Sequence, residues 1–155
     1  MNEIKKIASF TVDHDYIDEG VYVSRIDGDV TTYDMRTRRP NAGTYMDNLT
    51  MHSFEHMFAT LVRSSEIGAD VIYFGPMGCQ TGFYLLVRNA DNDTVLRVIK
   101  KTLADIVAYD GEMVGSTRKE CGNYKNLDLY AAKLEAGLYL AKLDEKNVDF
   151  KYPEE

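Results

Sequence analysis

An amphipathic α-helix is predicted by the stretch of residues 47–63, which reads DNLTMHSFEHMFATLVR. Apolar side chains recur there at the spacing of one helix face. These apolar side chains are Leu49, Phe54, Met57, Phe58, Leu61 and Val62. Either Asp47 or Asn48 can cap the amino end, and we expect the helix to end near Ser65.

Two of the chain's three histidines lie on this helix. His52 and His56 are one turn apart on the same face, with roughly 5–6 Å between their Cβ atoms. Two imidazoles at this spacing can both bind one divalent ion, and Glu55 lies beside them as a general base. The pattern H-x-x-E-H is the inverted zinc-peptidase signature of the inverzincins. The sequence therefore predicts a metal site on this helix.

A metal site needs a third protein ligand, for which the sequence offers Cys121, Cys79, His14 and the acidic residues. Gly122 follows Cys121 and allows the backbone to turn the thiolate toward the site. A His-His-Cys set leaves the fourth position open, as in catalytic metal sites. Spacing alone is equally compatible with Cys121 as a buried structural thiol.

Cys79 lies in a glycine-rich turn at residues 75–82, GPMGCQTG. Backbone N–H groups in such a turn favour a thiolate, which is the nucleophilic and basic form of cysteine. A packed structural thiol is nevertheless the commoner role for a cysteine judged alone, and a structural hydrogen-bonded role is the commoner one for His14. The basic cluster Arg36, Arg38 and Arg39 is either a solvated face or an anion-recognition patch.

The composition is that of an acidic globular protein of 155 residues, with 18 Lys and Arg against 25 Asp and Glu and a net charge of −7. We expect one domain over residues 1–155. The negative charge disfavours nucleic acid and anionic membranes as partners. The sequence has no run of membrane-spanning length and no signal-peptide pattern, and two cysteines do not form a disulfide scaffold. A cytoplasmic location is expected.

The remaining segments alternate between strand and helix patterns. A hairpin is predicted for residues 21–36 because β-branched runs flank Asp27-Gly28. Residues 7–14 are predicted as an extended edge piece. Further strands are expected at 71–74 and 83–87, and further helices at 92–107 and 126–143. This order predicts an α+β fold, a two-layer sandwich of a mainly antiparallel sheet packed against helices.

Taken together, the motifs resemble those of the LuxS family of S-ribosylhomocysteine lyases over nearly the whole chain. The matching stretches are SF at 9–10, DH at 13–14, DMR at 34–36, PN at 40–41, HSFEH at 52–56, GPMGCQTGFYL at 75–85 and CGNY at 121–124. Their order and spacing make the resemblance highly specific.

The resemblance implies roles for eight residues. The metal ligands would be His52, His56 and Cys121, holding one divalent ion per subunit, Fe²⁺ with Zn²⁺ or Co²⁺ as substitutes. The two catalytic acid–base groups would be Cys79 and Glu55. The substrate-binding residues would be Ser9, His14 and Arg36, with Arg36 and its neighbours at the homocysteine end.

The implied activity is metal-dependent cleavage of S-ribosylhomocysteine to homocysteine and 4,5-dihydroxy-2,3-pentanedione, the autoinducer-2 precursor of quorum sensing. It proceeds by carbonyl migration along the ribose and β-elimination of the thiol, and it belongs to the activated methyl cycle. The resemblance also implies a homodimer with active sites at the subunit interface and a LuxS/metallopeptidase-like fold. The sequence departs from the family's pattern at Arg39, Tyr73 and Leu127. We expect Tyr73 to alter contacts near Cys79, and Leu127 to alter local packing only.

Two other functions fit parts of the pattern. An H-x-x-E-H metallopeptidase-like hydrolase would take a glutamate, such as Glu112 or Glu120, as its third ligand. A non-catalytic, metal-stabilised binding domain would have a closed site with four protein ligands.

Overall fold

In the computed structural model, which describes residues 3–154, three helices cover one face of a four-stranded antiparallel sheet. The strands are β1 (Gly20–Asp27), β2 (Val30–Arg36), β3 (Val71–Pro76) and β4 (Gly82–Arg88), in the spatial order β1-β2-β4-β3. The helices are α1 (Asn48–Arg63), α2 (Asn92–Ala108) and α3 (Leu129–Asp144). The predicted α+β sandwich is confirmed. Within residues 3–154, no helix has both the length and the apolar character needed to cross a membrane.

The predicted hairpin is confirmed, with its turn one residue later than expected. Asp27 pairs with Val30 as the last residue pair of the ladder, so Gly28 and Asp29 form the loop. Gly28 has a φ of +61°. Glycine adopts this left-handed conformation without a steric penalty, which explains its position in the turn.

The prediction of an extended edge piece at residues 7–14 is wrong. Two short 3₁₀ turns occupy this region, Ala8–Phe10 and His14–Tyr16. The Thr11 hydroxyl donates to the Ala8 carbonyl at 2.7 Å, and the Asp13 carboxylate accepts from the Asp15 N–H at 3.0 Å. Short polar side chains bond to nearby backbone groups here and close turns instead of extending a strand.

The ends of the helices are set by aspartate caps. Of the two predicted caps, Asp47 is the one found, accepting from the Thr50 N–H at 2.8 Å, and α1 ends at Arg63, two residues before the predicted end. Helix α3 begins at Leu129 instead of Asn126, because Asp128 caps it by accepting from the Tyr130 N–H. The residues before Asp128 are thereby left in a loop that faces α1.

An aromatic cluster fixes α1 against the sheet. The rings of Phe54 and Phe83 lie 4.8 Å apart between centroids, and those of Phe58 and Phe74 lie 4.5 Å apart. All four rings belong to the buried core. Since aromatic pairs contribute about 0.5–1.5 kcal/mol beyond their buried area, the cluster holds α1 firmly on β3 and β4.

The opposite face of the sheet carries a buried polar group. Side chains alternate along a strand, so Asp34 and Arg36 of β2 point away from the core residues Tyr33 and Met35. The C-terminal tail (residues 145–154) covers this face, where the Tyr152 hydroxyl donates to Asp34 at 2.7 Å. Asp34 and Arg36 are consequently almost fully buried.

Removal of the Arg38 side chain is expected to destabilise the protein. Arg38 donates to both carboxylate oxygens of Glu135 on α3, at 2.9 and 2.5 Å, and Glu135 is only 2 % exposed. Arg38→Ala would leave a buried carboxylate without its partner. We expect the free energy of unfolding, measured by urea denaturation, to fall by about 3 kcal/mol.

Arg39→Ala is the matched control. The Arg39 side chain is 61 % exposed and lies 3.5 Å from Asp18. An exposed pair of this kind contributes roughly 0–1 kcal/mol. Equal losses of stability in the two variants would contradict a structural role for the Arg38–Glu135 pair.

Candidate metal centre and active site

Side chains from two distant parts of the chain, helix α1 and the loop before α3, converge on one point. The ligand atoms of His52, His56 and Cys121 lie within 4.8 Å of one another. The two imidazole rings are 4.6 Å apart between centroids and nearly perpendicular. The Cys121 Sγ lies 3.4 Å from His52 Nε2. The structure therefore brings the predicted ligand set together.

Backbone carbonyls orient both histidines. His52 Nδ1 lies 2.8 Å from the Asn126 carbonyl oxygen, and His56 Nδ1 lies 3.1 Å from the Val114 carbonyl oxygen. A carbonyl only accepts hydrogen bonds, so each Nδ1 carries the proton. Each Nε2 is then left with a lone pair for a metal, and the partner of Nδ1 fixes the ring.

The donor set fits a divalent transition metal. Ligands at about 2.0 Å for nitrogen and 2.3 Å for sulfur, in tetrahedral geometry, would be roughly 3.5 Å apart. The distance of 3.4 Å between His52 Nε2 and Cys121 Sγ agrees with this value. Among residues 3–154 the cluster contains three protein ligands, the number typical of a catalytic site with one open position.

Gly115 allows the loop after α2 to approach His56 closely. Its φ is +63°, and a Cβ atom built there would lie 2.8 Å from His56 Nδ1. Any larger residue would displace the imidazole or the adjoining Val114 carbonyl that orients it. Glycine is thus required here both by conformation and by space.

Gly115→Ala is expected to weaken metal binding. Loss of the orienting contact to a ligating histidine typically lowers metal affinity by about 10–100-fold. Co²⁺ affinity, read from the thiolate-to-cobalt charge-transfer band in competition with a chelator, measures the change. Gly137→Ala on α3 is the control, because a Cβ there meets only the Val107 side chain, at an ordinary contact distance of 3.7 Å, and Gly137 lies outside the ligand cluster. Unchanged Co²⁺ affinity in Gly115→Ala would contradict this role.

Glu55 lies beside the ligand cluster. A cavity of about 250 Å³ is bordered by Glu55, His52, Pro76 and Asn123. Larger cavities of about 550 and 590 Å³ flank the C-terminal tail. We place the candidate site at the smaller cavity because it is lined both by His52 of the ligand cluster and by Glu55.

Cys79 belongs to a second polar cluster on the other face of the sheet. The exposed Cys79 Sγ lies 3.0 Å from the Thr81 hydroxyl and 3.9 Å from Arg36 Nη1. Arg36 Nη1 also donates to Thr81 at 2.8 Å, and its other nitrogens donate to Asp34 at 2.6 and 3.1 Å. Burial acts to lower the pKa of Arg36, but the Asp34 carboxylate raises it above its ordinary value. A fixed positive charge therefore lies near the thiol.

The two clusters lie at the same end of the sheet. Pro76, the last residue of β3, borders the cavity beside His52, and Cys79 follows in the turn between β3 and β4. Among the hydrogen bonds of residues 3–154, none joins Cys79 to the ligand cluster. The predicted residues thus form two groups, the ligand cluster with Glu55 and the cluster of Cys79 with Arg36.

Ser9 and His14 are placed near the start of the described chain. Ser9 lies beside the Tyr84 phenol, and Tyr84 pairs across the sheet with Asp34. His14 Nδ1 lies 2.9 Å from the Val12 carbonyl oxygen. Ser9 thus lies near the polar cluster that contains Asp34 and Arg36. The hydrogen bond of the His14 side chain is with the backbone of its own segment, which is typical of a structural histidine.

The remaining sequence features are also located. The basic cluster is not a free anion patch, since each arginine has its own acidic partner in Asp34, Glu135 or Asp18. The Tyr73 side chain is mostly exposed and folds over Gly75, and Leu127 is half-buried.

Sequence reasoning missed several residues of the site. Asn126 and Val114 orient the histidines through backbone carbonyls, which no side-chain pattern shows. Thr81 and Tyr152 join the Arg36 group from distant segments. Of these residues only Asp34 could have been predicted from the sequence. Residues two apart on a strand share a face, and Asp34 precedes Arg36 by two.

The metallopeptidase alternative is not favoured. Within residues 3–154 neither Glu112 nor Glu120 belongs to the ligand cluster, whose third member is a cysteine. Glu120 is exposed and accepts from the Thr117 hydroxyl at 2.6 Å. The third ligand therefore differs from that of the inverzincins.

Comparisons with known proteins agree with this geometry. The family model described as S-Ribosylhomocysteinase (LuxS) matches residues 7–150. The S-ribosylhomocysteine lyase of Borreliella afzelii is 41% identical, over 97% of this chain and 100% of the relative. Those of Clostridium acetobutylicum and Desulfotalea psychrophila are 42% and 41% identical, over 97% and 95% of this chain and 100% and 99% of the relatives. The chain therefore belongs to the LuxS family of S-ribosylhomocysteinases.

Proposed function

We propose that this protein cleaves S-ribosylhomocysteine to homocysteine and 4,5-dihydroxy-2,3-pentanedione. The observation that carries the proposal is the convergence of His52, His56 and Cys121 beside Glu55, in a chain of this family. The reaction is an isomerisation followed by an elimination, so it needs no redox cofactor.

The proposed metal is Fe²⁺, with Zn²⁺ or Co²⁺ as substitutes, held by the two histidines and Cys121. Such an ion supplies Lewis-acid polarisation of the sugar carbonyl, which makes the protons on neighbouring carbon atoms more acidic. A thiolate ligand suits these softer divalent ions better than it suits Mg²⁺ or Ca²⁺.

Glu55 is proposed as the base on the metal side of the sugar. Its carboxylate borders the same cavity as His52, one residue before His56. From this position it removes a proton from one carbon of the open-chain sugar and returns it to the next, which moves the carbonyl from C1 to C2 and then to C3. The aromatic cluster fixes the Phe54 and Phe58 face of α1 against the sheet, and this holds Glu55 in place on the helix.

Cys79 is proposed as the second base. Its thiol is exposed at the turn before β4, so substrate and solvent can reach it. The Arg36 guanidinium at 3.9 Å stabilises a negative charge on sulfur. Two bases on different sides of the sugar allow proton transfers on both faces of the carbon chain.

The elimination follows once the carbonyl is at C3. A base removes the C4 proton, its electron pair forms the C4–C5 double bond, and the C5–S bond breaks. The sulfur leaves as the homocysteine thiolate and takes up a proton. The enol that remains gains a proton at C5 and becomes the dione product.

Ser9, His14 and Arg36 are the proposed substrate-binding residues, and a homodimer with sites at the interface is the proposed assembly. Exposed apolar side chains near the start of the chain, Ile4, Ile7 and Phe10, support a covered surface there. Arg36 is 3 % exposed, so its proposed contribution to the substrate is electrostatic and runs through Thr81 and Cys79. Two free cysteines are consistent with a reaction in the reducing cytoplasm.

An anaerobic assay of the Fe²⁺-loaded protein with S-ribosylhomocysteine tests the proposal. Free homocysteine, read with a thiol reagent, should appear in step with loss of substrate. Protein treated with a chelator is the control and should be inactive until Fe²⁺ is restored. Absence of thiol release from the fully loaded protein would overturn the proposed function.

A further inference from the structure

The C-terminal tail returns to the sheet and adds a short parallel contact beside β1. The Val23 N–H donates to the Phe150 carbonyl at 2.8 Å, and Tyr22 forms a parallel bridge with Phe150. The backbone turns at Phe150, whose φ is +64°. This turn directs the next residues, including Tyr152, over the outer face of the sheet.

Tyr152 is held there through its ring and through its hydroxyl, which also contacts the Ser24 side chain. Its ring stacks on Tyr22, with centroids 4.9 Å apart and planes 16° apart. Its hydroxyl donates to Asp34 Oδ2 at 2.7 Å. Burial raises the pKa of Tyr152 far above its ordinary value, and the Asp34 charge raises it further. The phenol therefore stays protonated and remains a hydrogen-bond donor.

Asp34 connects Tyr152 to the cysteine. The same Oδ2 atom that accepts from Tyr152 accepts from Arg36 Nη2 at 2.6 Å. Arg36 Nη1 points the other way, toward the Thr81 hydroxyl and Cys79 Sγ. A continuous series of contacts thus runs from the tail to the proposed catalytic thiol.

We propose that Tyr152 is a positioning residue for Cys79, acting through Asp34 and Arg36. The phenol shares the negative charge of the Asp34 carboxylate and fixes its orientation. Without this donor the carboxylate would attract Arg36 more strongly and be free to rotate, and Nη1 would be drawn away from Thr81 and Cys79. The thiolate would then lose part of its stabilisation.

This proposal takes one point from the proposed function, namely that Cys79 is a catalytic group. The titratable and charged groups around the thiol are Arg36 and Asp34 on β2, Tyr84 on β4 and Tyr152 on the tail. Only Tyr152 belongs to a segment outside the sheet. A change confined to its hydroxyl therefore leaves the strands and their register intact.

Tyr152→Phe removes the hydroxyl and keeps the stacked ring. The measurement is the rate of Cys79 alkylation by iodoacetamide at pH 7 in the metal-loaded protein, followed by mass spectrometry of the peptide containing Cys79. We expect alkylation to slow about fivefold, the size of one hydrogen bond's net effect. In the lyase assay kcat should fall while KM stays close to its value in the unchanged protein.

Tyr22→Phe is the matched control. Tyr22 is the other ring of the stack, but its hydroxyl donates to the Asp18 carbonyl at 2.7 Å instead of to Asp34. Alkylation should proceed there at the unchanged rate. Equal slowing in both variants would assign the effect to packing of the tail and overturn the proposal, as would unchanged alkylation in Tyr152→Phe.

A second variant covers the case in which Tyr152→Phe does not fold. A chain ending at Lys151 keeps the contact between Phe150 and Val23 and loses the phenol. It should show at least the same slowing of Cys79 alkylation, and a rate equal to that of the full chain would overturn the proposal. Because alkylation needs no sugar substrate, these results stand whether or not the lyase assay gives homocysteine.

Discussion

Replacing Cys79 with alanine is expected to lower the rate of homocysteine release by roughly 10²–10⁴-fold, the range for loss of one general acid–base group. The physical reason is the position of the thiol, which is exposed at the sheet end and has the Arg36 charge beside it. Alanine offers no group that can carry a proton there. The measurement is kcat of the Fe²⁺-loaded variant in the anaerobic thiol assay.

The variant should otherwise resemble the unchanged protein. Cys79 lies outside the ligand cluster, so the content of bound metal should be the same. Its side chain is exposed, so the unfolding temperature should change little. A Cys79→Ala protein with full activity and full metal content would remove Cys79 from the mechanism.

Glu55→Gln is expected to lower kcat by roughly 10²–10⁴-fold as well. Glutamine has nearly the same size as glutamate and fits the same helix face, but it cannot take up a proton from carbon. Since the Glu55 carboxylate is not part of the ligand cluster, the variant should bind Co²⁺ normally. The two effects are read separately, from the thiol assay and from the cobalt charge-transfer band.

Glu112→Gln and Glu120→Gln serve as controls for the second prediction. Both glutamates are exposed in the segment before Cys121, where a peptidase-like third ligand would lie. Both variants should keep metal and activity. Loss of bound metal in either control would indicate that the replaced glutamate is a metal ligand. Normal turnover in Glu55→Gln would assign the proton transfers to another residue.

The sequence was most informative where structure and chemistry depend on near neighbours. The helix and the placing of both histidines on one of its faces follow from spacing within one segment, and both are found in the structure. The sequence narrows the cap to Asp47 or Asn48, and the structure has Asp47. The hairpin at residues 21–36 is equally local. In such segments the pattern of side chains and the backbone conformation are determined by the same few residues.

What the sequence could not supply were contacts between distant segments. The carbonyl of Asn126 reaches His52 across 74 positions of the chain, and a main-chain oxygen has no side-chain signature. Tyr152 and Asp34 are 118 positions apart. The convergence of Cys121 on the histidines was suggested by the family resemblance, since spacing alone left a buried thiol equally compatible. Only the folded chain gives these distances.

The aromatic cluster also constrains how α1 tolerates changes in length. Phe54 and Phe58 repeat with the same four-residue interval as His52 and His56, but two positions later, which places them about 200° around the helix. The angle around α1 between the face with the phenylalanines and the face with the histidines is therefore fixed. One residue inserted between His52 and Phe54 would turn His52 about 100° relative to the anchored rings and to His56. Length changes in this family member should thus be confined to segments outside α1, even where they preserve every side chain of the site.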